Sequence, residues 1–157
     1  REEADMNMKI AIGADHGGVE LKSEIIEYFK EKGYTYTDYG TYSAASVDYP
    51  DIGLKVAEAI KNKEADRGIV ICGTGIGIGI SANKVPGIRC AMLSDVYSAQ
   101  MTREHNDANM MALGGRTIGP GLAVMIVDKF LNTDFSYEQR HQRRIDKITE
   151  IEKKYNK

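Results

Sequence analysis

Residues 72–79 read CGTGIGIG: one thiol closes an apolar run, and glycines follow at positions 73, 75, 77 and 79. A loop with so few side chains exposes backbone N–H groups at a helix start. Such groups can hold a phosphate, or an oxyanion that develops during a reaction. Neither nucleotide fingerprint fits. G-x-G-x-x-G would need glycine where Ile78 or Ile80 stands, and the Gly-Lys-Ser/Thr ending of a Walker A loop is missing. The plain alternative is a tight turn with close helix packing. Cys72 tips the balance, because thiolates are favoured at helix N-termini and become competent proton acceptors there. Cys90, inside IRCAML, reads instead as a small buried hydrophobe.

Other reactive side chains fall where a parallel α/β sheet would place its ligand. In such sheets ligands sit beyond the carboxyl ends of the strands. The residues just past each strand candidate are Asp15 and His16 after the first, Cys72 after the third, and Gly115 and Arg116 after the fifth. Cys72 and Asp15 across one sheet edge read as an acid/base pair. His105 and Asn106, in EHND, lie between a helix end and the fifth strand, and the pattern does not fix whether they reach the same edge. In the tail, RHQRRID sets Arg140 and Arg144 four apart on one helix face, with His141 adjacent and Arg143 angled away. Guanidinium groups at this spacing can grip a phosphate dianion through forked hydrogen bonds. The ordinary reading of such a run is a solvated basic face; Arg116 could converge on the same anion.

The elements that must position these residues alternate in type. KIAIGAD predicts a first strand, and residues 19–33 a helix with Leu21, Ile25, Ile26 and Phe29 on one face and Gly33 at its end. YTYTDYG is a second strand candidate. Residues 49–62 form a helix opened by Pro50, with Ile52, Val56 and Ile60 aligned. RGIVIC suits a strand buried on both faces. After the glycine loop, SANKVPG closes a helix, IRCAML gives a fourth strand, and residues 94–105 a helix with Ser94 as the expected N-cap. NMMALGG is the fifth strand and residues 119–131 the helix after it. The tail, residues 136–157, is a charged helix with a narrow stripe of Ile145, Ile148, Ile151 and Tyr155, open to docking on a partner subunit or on its own domain. Repeated βα units imply a parallel sheet covered on both faces.

Size and charge bound the function. A chain of 157 residues with net charge −2 is expected to be one domain with a real core, and nothing in it favours nucleic acid or an anionic membrane. No window approaches the roughly 20 apolar residues of a membrane span. Two cysteines outside any CxxC or Cys/His cluster fit reduced thiols and argue against a structural metal site. A cytoplasmic protein is the simplest expectation. Residues 1–7, ahead of Met8, read as a leader or remnant of an added segment, which leaves 8–157 as the domain.

Taken together, GADHGG, DYGTYS, DYP, CGTGIGIGISANK, YSAQMTREHND, NMMALGGRTIG and RHQRRID resemble ribose-5-phosphate isomerase type B, of the family that also holds the galactose-6-phosphate isomerase subunits. The likeness runs from Met8 to near the C-terminus. It implies a Rossmann-like three-layer α/β sandwich with a five-stranded parallel sheet and a C-terminal helical arm over 136–157. It implies a homodimer, or a dimer of dimers, with shared active sites. The implied reaction is interconversion of ribose 5-phosphate and ribulose 5-phosphate without metal or organic cofactor. On this likeness Cys72 matches the base that moves a proton between C2 and C1, His105 the residue that helps open the furanose ring, Asp15 the group that handles protons on the sugar oxygens, and Thr74 a residue at the same centre. The amides of Gly73, Gly75 and Gly77, with Asn106, would stabilise the enediolate. Arg140 and Arg144 would hold the phosphate, with His16, His141 and Arg116 as weaker candidates. Some relatives carry a Glu within the loop as the base; Ile78 stands at that position here, which leaves the role with Cys72. A six-carbon phosphosugar such as allose or galactose 6-phosphate is the alternative substrate, and a non-catalytic phosphosugar-binding module the alternative class.

Overall fold

The computed structural model describes residues 7–156; residues 1–6, most of the expected leader, lie outside it. The strands are β1 (Lys9–Ala14), β2 (Thr35–Asp38), β3 (Arg67–Cys72), β4 (Cys90–Met92) and β5 (Met110–Gly114), all parallel in the order β2-β1-β3-β5-β4. The helices are α1 (Val19–Lys32), α2 (Tyr49–Lys61), α3 (Ile76–Ala82), α4 (Val96–Asn106), α5 (Pro120–Leu131) and α6 (Gln139–Tyr155).

The three central strands are buried on both sides, and their alternation sorts the core into two halves. Ile10 and Ile12 of β1, Ile69 and Ile71 of β3, and Met111 and Leu113 of β5 pack under α1 and α5, around Phe29 and Phe130. Ala11, Val70, Cys72, Met110 and Ala112 face the other way, toward Val56 and Ile78 of α2 and α3. This is the expected sandwich, with helices on both faces because the central strands, past Lys9 and Arg67 at their starts, are apolar on both sides and need cover. Cys72 therefore faces the α2/α3 layer.

Local signals behave as their chemistry requires. Gly33 ends α1 at φ 75°, and its N–H bonds the Lys30 carbonyl. The cap of α4 is Asp95 and not Ser94. The Asp95 carboxylate accepts from the Ser98 N–H at 2.7 Å and from its hydroxyl at 2.8 Å, and these bonds hold its pKa low. Both residues are cap formers, and the longer, charged side chain at the position that leaves the strand prevails. β4 shrinks to three residues because it pairs only with β5 and forms the sheet edge.

One buried charge holds the loop after β2. Lys22 is 3% exposed, and its Nζ donates to Asp38 Oδ1 at 2.7 Å and to the Thr41 carbonyl, while Asp38 Oδ1 also accepts the Gly40 N–H. The same loop bonds Ala14, since Ala14 N–H meets the Gly40 carbonyl and Thr41 N–H meets the Ala14 carbonyl. The pair thus ties residues 38–41 to the end of β1, one residue before Asp15. Lys22→Met leaves the partly buried Asp38 carboxylate without its cation, and a loss of about 2 kcal/mol in urea denaturation is expected. A loss within about 0.5 kcal/mol, the range of ordinary surface substitutions, would show that the pair does not hold the loop.

Candidate active site

Strand order reverses between β1 and β3, and the crevice beyond the carboxyl ends of these two strands is the place where such sheets bind ligands. Asp15 and Cys72 stand there. The Asp15 N–H donates to the Ile71 carbonyl at 3.0 Å, which joins the two strand ends directly. The turns that follow β1, β3 and β5 then nest without side chains. A Cβ on Gly17 would lie 3.1 Å from the Gly73 nitrogen, and one on Gly115 would strike the Gly17 carbonyl. Three strand ends can therefore crowd around one point.

Cys72 is buried, and its Sγ accepts the Gly75 N–H at 3.1 Å. This differs from the expectation that the Gly75 amide faces an enediolate. Gly75 sits at φ 80° as N-cap of α3, a conformation that side chains avoid; a Cβ would also lie 2.8 Å from the Leu113 carbonyl carbon. Charge that develops on the sulfur thus meets a fixed dipole. Thr74 is exposed, and its Oγ1 accepts the Ile76 N–H at 3.2 Å. Gly77 lies in the first turn of α3 under the ring of Tyr49, whose Cε1 and Cζ would be 2.6 Å from a Cβ there. Ile78 is fully buried in the core.

Around this loop the other expected groups gather. Asp15 is 6% exposed; Oδ1 accepts the Gly17 N–H at 2.8 Å, and Oδ2 has no partner among the described residues. His16 Nδ1 accepts the Val47 N–H at 3.3 Å, which leaves Nε2 for a ligand. Arg116 is exposed and drapes over Gly73, with Nη1 3.4 Å from the position a Cβ would take. Tyr49, half-exposed against the loop, went unassigned by sequence reasoning; its only signal was its place in DYP.

His105, Asn106, Arg140, His141 and Arg144 are not at this edge. Helix α4 starts beyond β4 at the carboxyl edge and runs back to the amino edge, where the Arg89 guanidinium, just ahead of β4, donates to the Asn106 carbonyl at 2.8 Å. Gly114 pairs in register with Cys72, and Met110 lies at the far end of the same strand, four steps or about 13 Å away. His105 and His141 stack with ring centroids 4.2 Å apart, so the start of α6 shares that far edge. Arg140 and Arg144 are exposed there, whereas His141 is 4% exposed. Proton-transfer groups and the arginine pair thus occupy opposite edges of one chain. Cys90 opens the edge strand at the amino edge, beside Arg89, and burial pushes its thiol up to about 12.

The near edge offers a buried thiol, a carboxylate oxygen without a partner, backbone donors and two basic side chains for the oxygens of a small anionic substrate. Among the described residues no cluster of three metal-ligating side chains forms. Comparison with known proteins gives this arrangement a context. The model of a family described as Ribose/Galactose Isomerase matches residues 10–148. A putative sugar phosphate isomerase of Bacillus subtilis is 54% identical over 94% of this chain and 99% of its own length. The ribose-5-phosphate isomerase B of Escherichia coli is 48% identical over the same shares. The solved structure of Clostridium thermocellum ribose-5-phosphate isomerase B superposes with a TM-score of 0.93 at 60% identity, covering 95% of this chain and all of that one.

Proposed function

The chain belongs to the ribose/galactose isomerase family, and from that premise we propose how it works. It is an aldose–ketose isomerase that interconverts ribose 5-phosphate and ribulose 5-phosphate. In our reading Cys72, as thiolate, removes the C2 proton of the open-chain aldose. The C–H electron pair becomes the C1–C2 double bond, and the carbonyl oxygen becomes the enediolate oxyanion. Donors from Gly73, Gly77 and Asn106, with Thr74 beside them, hold that charge, and the Gly75 N–H answers charge on the sulfur. Asp15 carries the hydroxyl proton between O2 and O1, and the Cys72 thiol returns its proton to C1. His105 assists ring opening, and Arg140 and Arg144 bind the phosphate, with Arg116 and His16 on the near side.

The observation that carries this reading is the pairing of Cys72 and Asp15 in the switch-point crevice, with the glycine loop folded around the sulfur. One chain cannot bring its own His105 and arginines to its own Cys72. We therefore read the working unit as a dimer in which a second copy supplies them. Exposed apolar surface supports that reading. Ile76, Ile80 and Met92 lie uncovered beside the loop, and Ile148, Ile151 and Tyr155 of α6 line an open cleft of about 660 Å³ against β4. Within the chain, Ile145 alone of the expected stripe is buried. Among the described residues no helix is long and apolar enough to cross a membrane. With both cysteines free, we place the enzyme in the cytoplasm.

Incubation with ribose 5-phosphate in heavy water, with chelator present, tests the reaction. Ribulose 5-phosphate carrying solvent deuterium at C1 is expected, with slower turnover of allose 6-phosphate and galactose 6-phosphate. Label enters when the Cys72 thiol exchanges with solvent before it returns its proton, so sugar left free of solvent deuterium after many rounds of interconversion would point to hydride transfer and overturn the enediolate route.

A further inference from the structure

At the far edge, one buried residue has chemistry that phosphate binding does not use. His141 is 4% exposed although Arg140, Arg143 and Arg144 around it are exposed. Its ring stacks on His105 at 4.2 Å between centroids and 35° between planes. Its Nδ1 lies 2.6 Å from Ser136 Oγ, and that oxygen also accepts the Glu138 N–H at 3.2 Å. Ser136 in turn donates its N–H to the carbonyl of Glu104, the neighbour of His105 on α4. The contacts close a ring: α4 backbone, Ser136, His141, His105.

We propose that His141 is a positioning residue for His105: fixed by Ser136 between α4 and α6, it sets the angle at which the His105 imidazole meets the sugar of the neighbouring site. This rests on reading His105 as the group that opens the sugar ring. The Ser136 bond and the stack on His105 fix the ring and leave only Nε2 for a further contact. Burial and the nearby cations support an uncharged wedge: burial lowers the His141 pKa most, followed by His105, Arg140 and Arg144, while Glu138 opposes them. His105 on α4, Glu138 on the preceding turn, and Arg140 and Arg144 on α6 are the titratable and charged groups that face it. The sign follows directly. Above the unfolded-state value of about 6.5 the folded protein keeps its full stability, and as pH falls through the lowered folded value the unfolded chain takes up the proton first and stability drops.

Steady-state kinetics on single and double variants test the proposal. His141→Ala should lower kcat about tenfold with KM and inhibition by inorganic phosphate within about twofold, because orientation and not anion binding is lost. His141→Phe keeps a ring in the stack and should return to within about threefold of the parent kcat; its melting temperature should also fall less than the parent's on acidification below about pH 6.5. In a His105→Ala background, His141→Ala should add less than about a twofold loss, as expected when one residue acts through the other. A raised KM and weakened phosphate inhibition with kcat intact would make His141 a phosphate ligand. A full tenfold further loss in the His105→Ala background, or no rescue by Phe, would make its role general packing. If His105→Ala alone leaves kcat unchanged, the reading of His105 fails first, and this inference with it.

Discussion

Cys72→Ser is expected to lower kcat about 10³-fold while KM for ribose 5-phosphate moves little, because proton transfer by a positioned base is worth about 10²–10⁴. Serine keeps the size of the side chain and can accept the Gly75 N–H that now reaches Sγ at 3.1 Å, so the turn into α3 should survive. What disappears is acidity: a hydroxyl is a far weaker acid than a thiol and so a far poorer proton carrier. The control is Cys90→Ala. Cys90 is buried, its thiol pushed up to about 12 by burial, and it stands at the start of the edge strand, on the amino edge of the sheet. That variant should lose some stability by leaving a small void but keep kcat within about twofold. Initial rates on both variants, with thermal melts to show that each is folded, decide the matter. If Cys72→Ser keeps more than about a tenth of the parent kcat, the base lies elsewhere, and Asp15, with an oxygen that has no partner among the described residues, is the group to replace next.

Much of this site could be read before any coordinates, and the reason is local. Residues that follow strands in a parallel sheet share an edge whatever the loops do, so Asp15, Cys72 and Arg116 could be grouped from RGIVIC, KIAIGAD and NMMALGG alone. Other features depend on contacts between distant segments, which periodicity does not carry. Tyr49 over Gly77 joins α2 to α3, and Lys22 inside the Asp38–Thr41 turn joins α1 to the loop after β2. Lys22 sits on a helix that reads as amphipathic, where a lysine is normally solvated; its burial follows from a carboxylate sixteen residues on. Read as an anion cradle, the loop gives the Gly75 amide to the substrate, whereas the turn after β3 brings that N–H to the Cys72 sulfur. His141 looked like one more cation in a basic run. Helix spacing put it near Arg140 and Arg144 but could not reveal the stack on His105 that buries it.

The separation of His105 and the arginines from Cys72 has a consequence that mixing two dead enzymes exposes. On the dimer and residue roles proposed above, Cys72→Ala and His105→Ala homodimers should each be almost inactive, since every site lacks either its base or its ring-opening imidazole. In a mixed dimer one site takes Cys72 from one chain and His105 from the other, and is intact; the second site lacks both. Random pairing makes half the dimers mixed, with one of two sites complete, so co-refolded or co-expressed chains should regain roughly a quarter of parent activity under two-fold symmetry. The matching negative control is Cys72→Ala mixed with Asp15→Ala. Both residues stand at one edge of one chain, joined through the Asp15 N–H and the Ile71 carbonyl, so no pairing rebuilds a site and the mixture should stay dead. The same logic extends to the phosphate grip: Arg140→Ala should complement Cys72→Ala, because α6 begins at the His105 edge. Recovery in the Cys72/Asp15 mixture would show that those two residues serve one site from different chains; none in the Cys72/His105 mixture, once mixed dimers are verified by mass, would show that each chain builds its site alone. That result would require α4 and the start of α6 to leave the positions in which Arg89 and Ser136 now hold them.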